Sequence, residues 1–380
     1  MWKLNITKGN DARWKVTIFQ SKLTIFLQGL QGNGKTTIAK TLCERNYGWR
    51  YIEQDQYYGD TRKCQQGLIE LLKSDAQVII VSRCNINTQQ YRRYLEISLN
   101  YGEVLFLNFT DTNYNSKTSL MLARSIAGVL NRSESTENVV FGPDSVLIDD
   151  AIQYTRNNMK YWSPNKKAVD IPILHHDQDI TSEIENSDSL KDFVISNTER
   201  IMSFSIPLLD IVSNIEYQIS HISRKNIITK NDYKNELLKK TIFISFKFCQ
   251  KHTQKTLMGF SRKYGKGNFK CEHITQIFMN GNTSYNIDEL SFPNDIATII
   301  IDSLVVNLEN GMSAFRVKNI LSPSGENIFI HSKCPHITAC VPNGCQPKDS
   351  LLFVGKNDES VEIIPFELSF EGICVYHQKR

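Results

Sequence analysis

From Leu23 to Glu44 the chain passes through an apolar stretch, a glycine-rich turn and a helix-forming stretch. The turn, Gly29-Leu30-Gln31-Gly32-Asn33-Gly34-Lys35-Thr36, fits the phosphate-loop pattern G-x-x-x-x-G-K-[ST]. This pattern works only where a buried strand delivers the loop and a helix starts as the loop ends. Glycines let backbone N–H groups curl around phosphate oxygens, and the helix N-terminus adds the positive end of its dipole. Leu23 to Gln28 supplies the strand, and Thr36 to about Glu44 supplies the helix. The expectation is a nucleotide site built by Gly29, Gly32, Asn33, Gly34, Lys35, Thr36 and Thr37. In it Lys35 bridges the β and γ phosphates and Thr36 holds Mg²⁺.

Further apolar runs at Gln77–Val81 and Val104–Phe109 alternate with helix-forming stretches at Gln66–Lys73 and Gln89–Leu99. Strands alternating with helices predict βαβ units and a parallel sheet, hence an α/β fold. The short strand Tyr51-Ile52-Glu53-Gln54-Asp55 is read as ending in the carboxylate of Asp55. Such a strand end faces the nucleotide crevice, which places Asp55 to take a proton from an acceptor hydroxyl. Arg83, Arg92 and Arg93 follow the third strand and are candidates for an anionic chain such as an RNA backbone. Residues 110–165 are helical in pattern. Within them Arg124 and Arg132 flank a short helical segment and suit a lid over transferring phosphate. Residues 175–192 are polar and acid-rich, as in an exposed loop.

After Lys240 the pattern changes. Thr241–Phe248 alternates like a strand, and Ser303–Asn307, Glu309-Asn310-Gly311 and Ser313–Lys318 read as strand, tight turn, strand. Glu362–Phe370 and Gly372–His377 are expected to form a closing hairpin. This region also holds His273-Ile274-Thr275 and His336-Ile337-Thr338. On a strand, residues two apart share a face, so each His stands beside its Thr. Hydrolysis of a phosphodiester needs one group to take a proton from water and another to give one to the leaving oxygen. Two imidazoles meet that need without a metal, and Thr275 and Thr338 can hydrogen-bond the non-bridging oxygens. The order of the two motifs does not assign base and acid. His175-His176 read as surface residues, and the spacing requires neither His252 nor His331 at the site.

At 380 residues the chain has room for two domains. Nine Cys without a C-x-x-C pair point to free thiols in a reducing compartment, cytoplasmic or nuclear. No apolar run approaches the roughly 18 residues of a membrane span, and the Met1-Trp2-Lys3-Leu4-Asn5 start lacks a signal-peptide core. A net charge of +4 permits a polyanionic partner.

The order of these motifs resembles a known combination. A G-x-G-K-T-T loop, an Asp after the second strand, an R-x-N segment (Arg83-Cys84-Asn85) and paired lid arginines resemble polynucleotide 5′-kinases. Both the phage type and the kinase domain of fungal tRNA-splicing ligases share that order. One departure is Ser82-Arg83, where these families carry an Asp at the end of the third strand. The C-terminal region resembles the cyclic phosphodiesterase domain of the same ligases, a member of the two-histidine (2H) phosphoesterases. The myelin 2′,3′-cyclic nucleotide phosphodiesterase is a more distant relative. Gly344-Cys345-Gln346-Pro347-Lys348-Asp349-Ser350 is similar to the G-x-x-P-x-x-S stretch after the second H-x-T of the fungal ligases, and marks Ser350 as a phosphate contact. No K-x-D-G nucleotidyltransferase motif occurs in the chain.

The resemblance implies an α/β P-loop NTPase-like kinase domain over residues 20–192, preceded by an extension at 1–19. A helical connector at 193–240 would lead to an α+β 2H domain with a mainly antiparallel sheet at 241–380. It implies an RNA end-healing enzyme: ATP or GTP with Mg²⁺ to phosphorylate a 5′-hydroxyl, and metal-free opening of a 2′,3′-cyclic phosphate to a 2′-phosphate and 3′-hydroxyl. The partners would be RNA ends such as tRNA halves and a separate RNA ligase, with no membrane. Two other readings stay open: a 2H phosphodiesterase for 2′,5′-oligoadenylate with the P-loop domain as scaffold, and a non-enzymatic RNA-binding protein.

Overall fold

Three apolar runs, Lys22–Gln28, Val78–Ser82 and Gly102–Thr110, lie side by side in a parallel sheet in the computed structural model. The structure describes residues 5–8, 14–17, 22–30, 32–57, 59–110, 123–124, 126–128, 153, 156–158, 160–172, 183, 190–202, 207–279 and 285–378. The chain divides into two units, Met1–Lys230 and Asn231–Arg380. Among the described residues no helix is long and apolar enough to cross a membrane.

In the first unit the strand order is Trp49–Glu53, Val78–Ser82, Lys22–Gln28, Gly102–Thr110 and Val169–Pro172, these five parallel, with the two-residue strand Ile227–Ile228 antiparallel to Gly102–Thr110. The predicted α/β architecture is therefore present, with the loop-bearing strand in the middle. Helices Lys35–Arg45, Thr61–Lys73 and Thr88–Leu99 fill the crossovers. Asp60 and Asn87 start the last two by accepting the N–H groups of Arg62, Lys63 and Gln90, donors that a helix cannot satisfy itself. The central strands are buried on both faces, which explains their continuous rather than alternating hydrophobicity. Of the predicted helical stretch 110–165, the described residues 123–124, 126–128, 153, 156–158 and 160 are helical, while 110 is strand and 161–165 are not helical. Most of the loop read at 175–192 lies outside the described residues, as do His175 and His176, and its described residues, 183 and 190–192, are helical.

Gly102 opens its strand against the backbone of Lys22. A Cβ there would stand 2.0 Å from the Lys22 carbonyl oxygen. No side-chain rotamer relieves a backbone clash, so Gly102→Ala is expected to destabilise the first unit by about 1–3 kcal/mol. A lowered denaturation midpoint, read on a first-unit tryptophan, checks this.

The stretch 193–240, expected as a connector, is divided between the units. Helix Leu208–Ser220 buries Ile211, Val212, Ile215 and Ile219 in the first unit's core, beside Ile38 and Leu42 of the P-loop helix. The Arg45–Glu216 ion pair, at 3.1 Å, ties the same two helices. Helix Lys230–Leu238 instead places Leu237 and Leu238 in the core of the second unit.

The second unit is a seven-stranded antiparallel sheet. Its order is Asn268–Phe269, His336–Val341, Ser313–Leu321, Ile296–Asn307, Val361–Gln378, Thr241–Phe248, His273–Phe278. The predicted hairpin forms, with Val306 opposite Ser313 and Gly311 at φ 73° in the turn. The predicted closing hairpin does not form. Val361–Gln378 is one strand, pairing Ile296–Asn307 along Val361–Ile373 and Thr241–Phe248 along Gly372–Gln378. Gly372 makes no turn; a Cβ there would press on Ile299 and Phe246, so it marks close packing.

The segment 268–278 joins both edges of the sheet. Lys270 and Cys271 donate their N–H groups to the carbonyls of Ala339 and Thr338, at 2.9 and 3.0 Å. Cys271 then adopts φ 41°, and His273–Phe278 pairs with Thr241–Phe248. This switch sets the first H-x-T motif beside the second.

Candidate active sites

The P-loop in the first unit has the shape its sequence predicts. Gly32 and Gly34 take φ of 79° and 69°, a region that side chains disfavour. Gly34 is the N-cap of helix Lys35–Arg45, and no side chain caps that helix or places an acid in its first turn. A helix start of this kind, with the positive end of its dipole exposed to the loop, favours an anion. Asn33 and Lys35 are buried, and Lys35 Nζ donates to the Leu30 carbonyl. Gly29 N donates to the Cys84 carbonyl at 3.1 Å, pinning the loop to the end of the third strand. Thr37 is exposed on the helix.

Thr36 Oγ1 donates to Glu53 Oε2 at 2.7 Å and lies 3.3 Å from Ser82 Oγ. The second strand therefore ends in Glu53, two residues earlier than predicted. Asp55 sits beyond it, exposed, in a single 3-10 turn at Gln54–Tyr57. The sequence signal for Glu53 was its place at the strand end; the more distal Asp55 masked it. A hydroxyl and a carboxylate are hard oxygen donors that suit Mg²⁺, which takes one or two carboxylates together with substrate phosphates. Thr36 and Glu53 would hold the ion, which neutralises phosphate charge when bound. Among the described residues no group of three or more His, Cys, Asp or Glu could hold a metal ion, so a substrate phosphate would complete the ligand set.

Arg83 was expected to face RNA phosphate, but its contacts hold the site together. Its Nε and Nη2 donate to Gln54 Oε1 at 2.9 and 2.6 Å, and Nη1 donates to the Gln90 carbonyl at 3.1 Å. The guanidinium lies 4.4 Å from the Tyr94 ring centroid. Arg83 thereby braces the turn that carries Asp55. Arg92 pairs with Glu96 at 3.0 Å along one helix. Arg124 is buried, and its Nε donates to the Ile201 carbonyl at 3.2 Å. Arg132 lies outside the described residues. Asn85, at φ 46°, escaped selection as a site residue. Its Nδ2 donates to the Leu27 carbonyl at 2.9 Å and its own carbonyl accepts from Gln28 Nε2 at 2.6 Å, locking two strand ends together.

In the second unit His336 and Thr338 share one face of their strand, with Ile337 buried on the other. His336 Nδ1 lies 2.9 Å from the Cys334 carbonyl, and Nε2 lies 2.8 Å from Ser350 Oγ. A carbonyl only accepts, so Nδ1 carries a proton and neutral His336 presents a lone pair at Nε2. Thr338 Oγ1 lies 3.1 Å from the same Ser350 oxygen. Ser350 is fully buried and also reaches the Pro347 carbonyl at 2.7 Å. It can donate to Nε2 when His336 is neutral. When His336 is charged it can accept from Nε2 and donate to Pro347. The Gly344–Ser350 stretch thus places its Ser directly against the second H-x-T. Pro347 opens the 3-10 turn that does so, and Asp349 and Gln346 close a capping box around its start. Arg316, opposite His336 on the next strand, donates to the carbonyls of Val354 and Lys356 and anchors the chain after that turn.

His273 and Thr275 face Lys247 and Ser245 across the Thr241–Phe248 strand. Burial holds the His273 pKa below its ordinary 6.5; Glu272 opposes this, while Lys247 and His336 add to it. Burial also lowers His336, against the pull of its Cys334 hydrogen bond. A third histidine, His377, escaped the sequence reading. Its ring stacks on Phe243 with centroids 3.9 Å apart, its Nε2 lies 2.8 Å from Ser245 Oγ, and its pKa is depressed to about 4, chiefly by burial. Only the strand register could reveal it. His252 and His331 are exposed.

Residues 27–116 match the tRNA ligase kinase domain family. No curated protein matches the chain. A crystal structure of a fungal RNA kinase is similar at 12% identity, covering 94% of this chain and 99% of its own, with a TM-score of 0.31. A chain of the Pnkp1/Rnl/Hen1 RNA repair complex is 19% identical over 43% of this chain and 54% of its own, with a TM-score of 0.24. Both scores are low. The family match spans the P-loop, the Glu53–Tyr57 turn and the Ser82–Asn85 segment. Residues 27–116 are similar to the kinase domain of tRNA ligases.

Proposed function

We propose that the chain heals both ends of a broken RNA. The first unit transfers the γ-phosphoryl group of an NTP to a 5′-hydroxyl. Asp55 accepts the hydroxyl proton as the new P–O bond forms, and Lys35 and the loop amides hold the phosphates of the leaving NDP. The second unit opens a 2′,3′-cyclic phosphate. Water attacks phosphorus, neutral His336 takes the water proton at Nε2, and charged His273 protonates the departing 3′ oxygen. The products are a 2′-phosphate and a 3′-hydroxyl. Thr275 and Thr338 stabilise the charge that gathers on the non-bridging oxygens. A separate RNA ligase would seal the healed ends, tRNA halves among them.

The observation that carries this reading is the meeting of the two H-x-T motifs. The sheet closes so that His273 follows directly on the residues bonded to the Thr338 strand. The kinase domain upstream supports an RNA end as the common substrate. One incubation tests both halves. With NTP, Mg²⁺ and an RNA bearing a 5′-hydroxyl and a 2′,3′-cyclic phosphate, both ends should be converted. Retention of the cyclic phosphate, or its conversion to a 3′-phosphate, would refute the second half.

The pH dependence follows from the histidines. The active form carries one proton on the pair, and both pKa values are pushed below 6.5 by burial. The two pKa values that bound the profile therefore both fall under 6.5. Raising the pH then removes the acid. The expected kcat/KM for cyclic phosphate opening is a bell centred below pH 6.5, declining by about tenfold per unit on its alkaline side. A profile centred above pH 7.5 would contradict the proposed roles.

A further inference from the structure

We propose that Glu53 is the carboxylate of the nucleotide-bound divalent cation, standing in for an acid that Ser82 cannot supply. The inference rests on the kinase reading and goes beyond it by naming a metal-site residue. In P-loop enzymes Mg²⁺ is held by the loop Ser/Thr and by an Asp from elsewhere in the sheet. Here the third-strand residue nearest Thr36 is Ser82, whose hydroxyl is uncharged and 3.3 Å away. The acid stands one strand further out. Glu53 and Ser82 are register partners on neighbouring parallel strands, so their side chains leave the same end of the sheet side by side. Glu53 reaches past Ser82 to accept the Thr36 hydroxyl proton at 2.7 Å.

That hydrogen bond has a direction with consequences. By taking the Thr36 proton, Glu53 fixes the hydroxyl rotor and turns the oxygen lone pairs away from itself. The second carboxylate oxygen stays available to the ion or to its water shell. A Glu is longer than an Asp by one methylene, which suits an acid that starts one strand further from the loop. Asp55 is separated from this role by the strand end itself, since it is exposed on the 3-10 turn beyond Glu53. Acceptor activation and metal binding are thereby assigned to different carboxylates two residues apart.

The test measures nucleotide binding in the full chain, without turnover. Affinity for a fluorescent NTP analogue is titrated against Mg²⁺, and Mn²⁺ bound with the nucleotide is counted by electron paramagnetic resonance. Glu53→Gln keeps the shape and removes the charge. It should raise the Mg²⁺ concentration needed for half-maximal binding by about 10-fold or more, the scale of a lost metal-site partner. Affinity in EDTA should be unchanged. Adding Ser82→Asp to Glu53→Gln should restore the Mg²⁺ response by returning an acid to the third strand. Should Glu53→Gln fail to fold, Ser82→Asp alone decides, since a second acid beside the first should lower the Mg²⁺ requirement. Mg²⁺-dependent binding in the native chain that neither substitution alters overturns the role of Glu53 alone. A native chain that binds no nucleotide overturns the kinase reading together with this inference.

Discussion

Lys35→Ala should lower 5′ phosphorylation by about 10²–10³-fold, the usual cost of losing one preorganised donor to developing charge. Opening of the cyclic phosphate should change by no more than about twofold, as expected for sites that share no partners. Lys35 is buried in the loop with Nζ on the Leu30 carbonyl, so the ammonium is held in place before nucleotide arrives. Its loss removes a charge that acts most strongly as the γ-phosphoryl group departs, and kcat should fall more than KM rises. The loop amides and the uncapped helix start remain to bind phosphate. Separate rate measurements on RNAs carrying only one modified end check both arms. A parallel fall of both activities in a folded variant would show that the two units do not work independently.

The fold was legible where local chemistry determines it. The P-loop strand, its helix and the two later crossovers follow from apolar runs alternating with helix-forming stretches, although the helix starts at Asp60 and Asn87 went unread. The site was less legible, because its decisive contacts depend on strand register. Asp55 looked like the strand-end acid until the strand stopped at Glu53, which only pairing with Ser82 reveals. Arg83 was read as a candidate for the RNA backbone, and the contacts it makes to Gln54, Gln90 and the Tyr94 ring are invisible in the sequence. His377 is far from both motifs in sequence and reaches Ser245 only because one strand of eighteen residues serves two neighbours. The expected hairpin at Gly372 failed for a related reason. A glycine between two apolar runs reads as a turn, but packing against Ile299 can demand the same residue. Ser350 was singled out through its family stretch, and the structure shows the contact it makes: a capped 3-10 turn aims it at His336.

The second large effect should come from the histidines. His273→Ala and His336→Ala should each reduce cyclic phosphate opening by about 10²–10⁴-fold, the range for a general acid or base, and leave 5′ phosphorylation intact. The double variant should be little worse than either single one, because a proton relay missing one member gains nothing from the other. The two single variants should nonetheless differ in their pH profiles. With His336 gone, burial and Lys247 still hold the His273 pKa down and only the smallest of its depressing influences is lost, so residual activity should still require the charged ring. With His273 gone, the Cys334 hydrogen bond still fixes the His336 tautomer, and residual activity should require the neutral ring. Loss of activity on acidification in His273→Ala, and on alkalinisation in His336→Ala, would assign base and acid as drawn. The reverse pattern would exchange the roles and keep the pair. A leaving group that needs no protonation separates the roles further. A substrate with an activated aryl leaving oxygen should rescue His273→Ala and leave His336→Ala impaired, because water must still lose its proton whichever group departs.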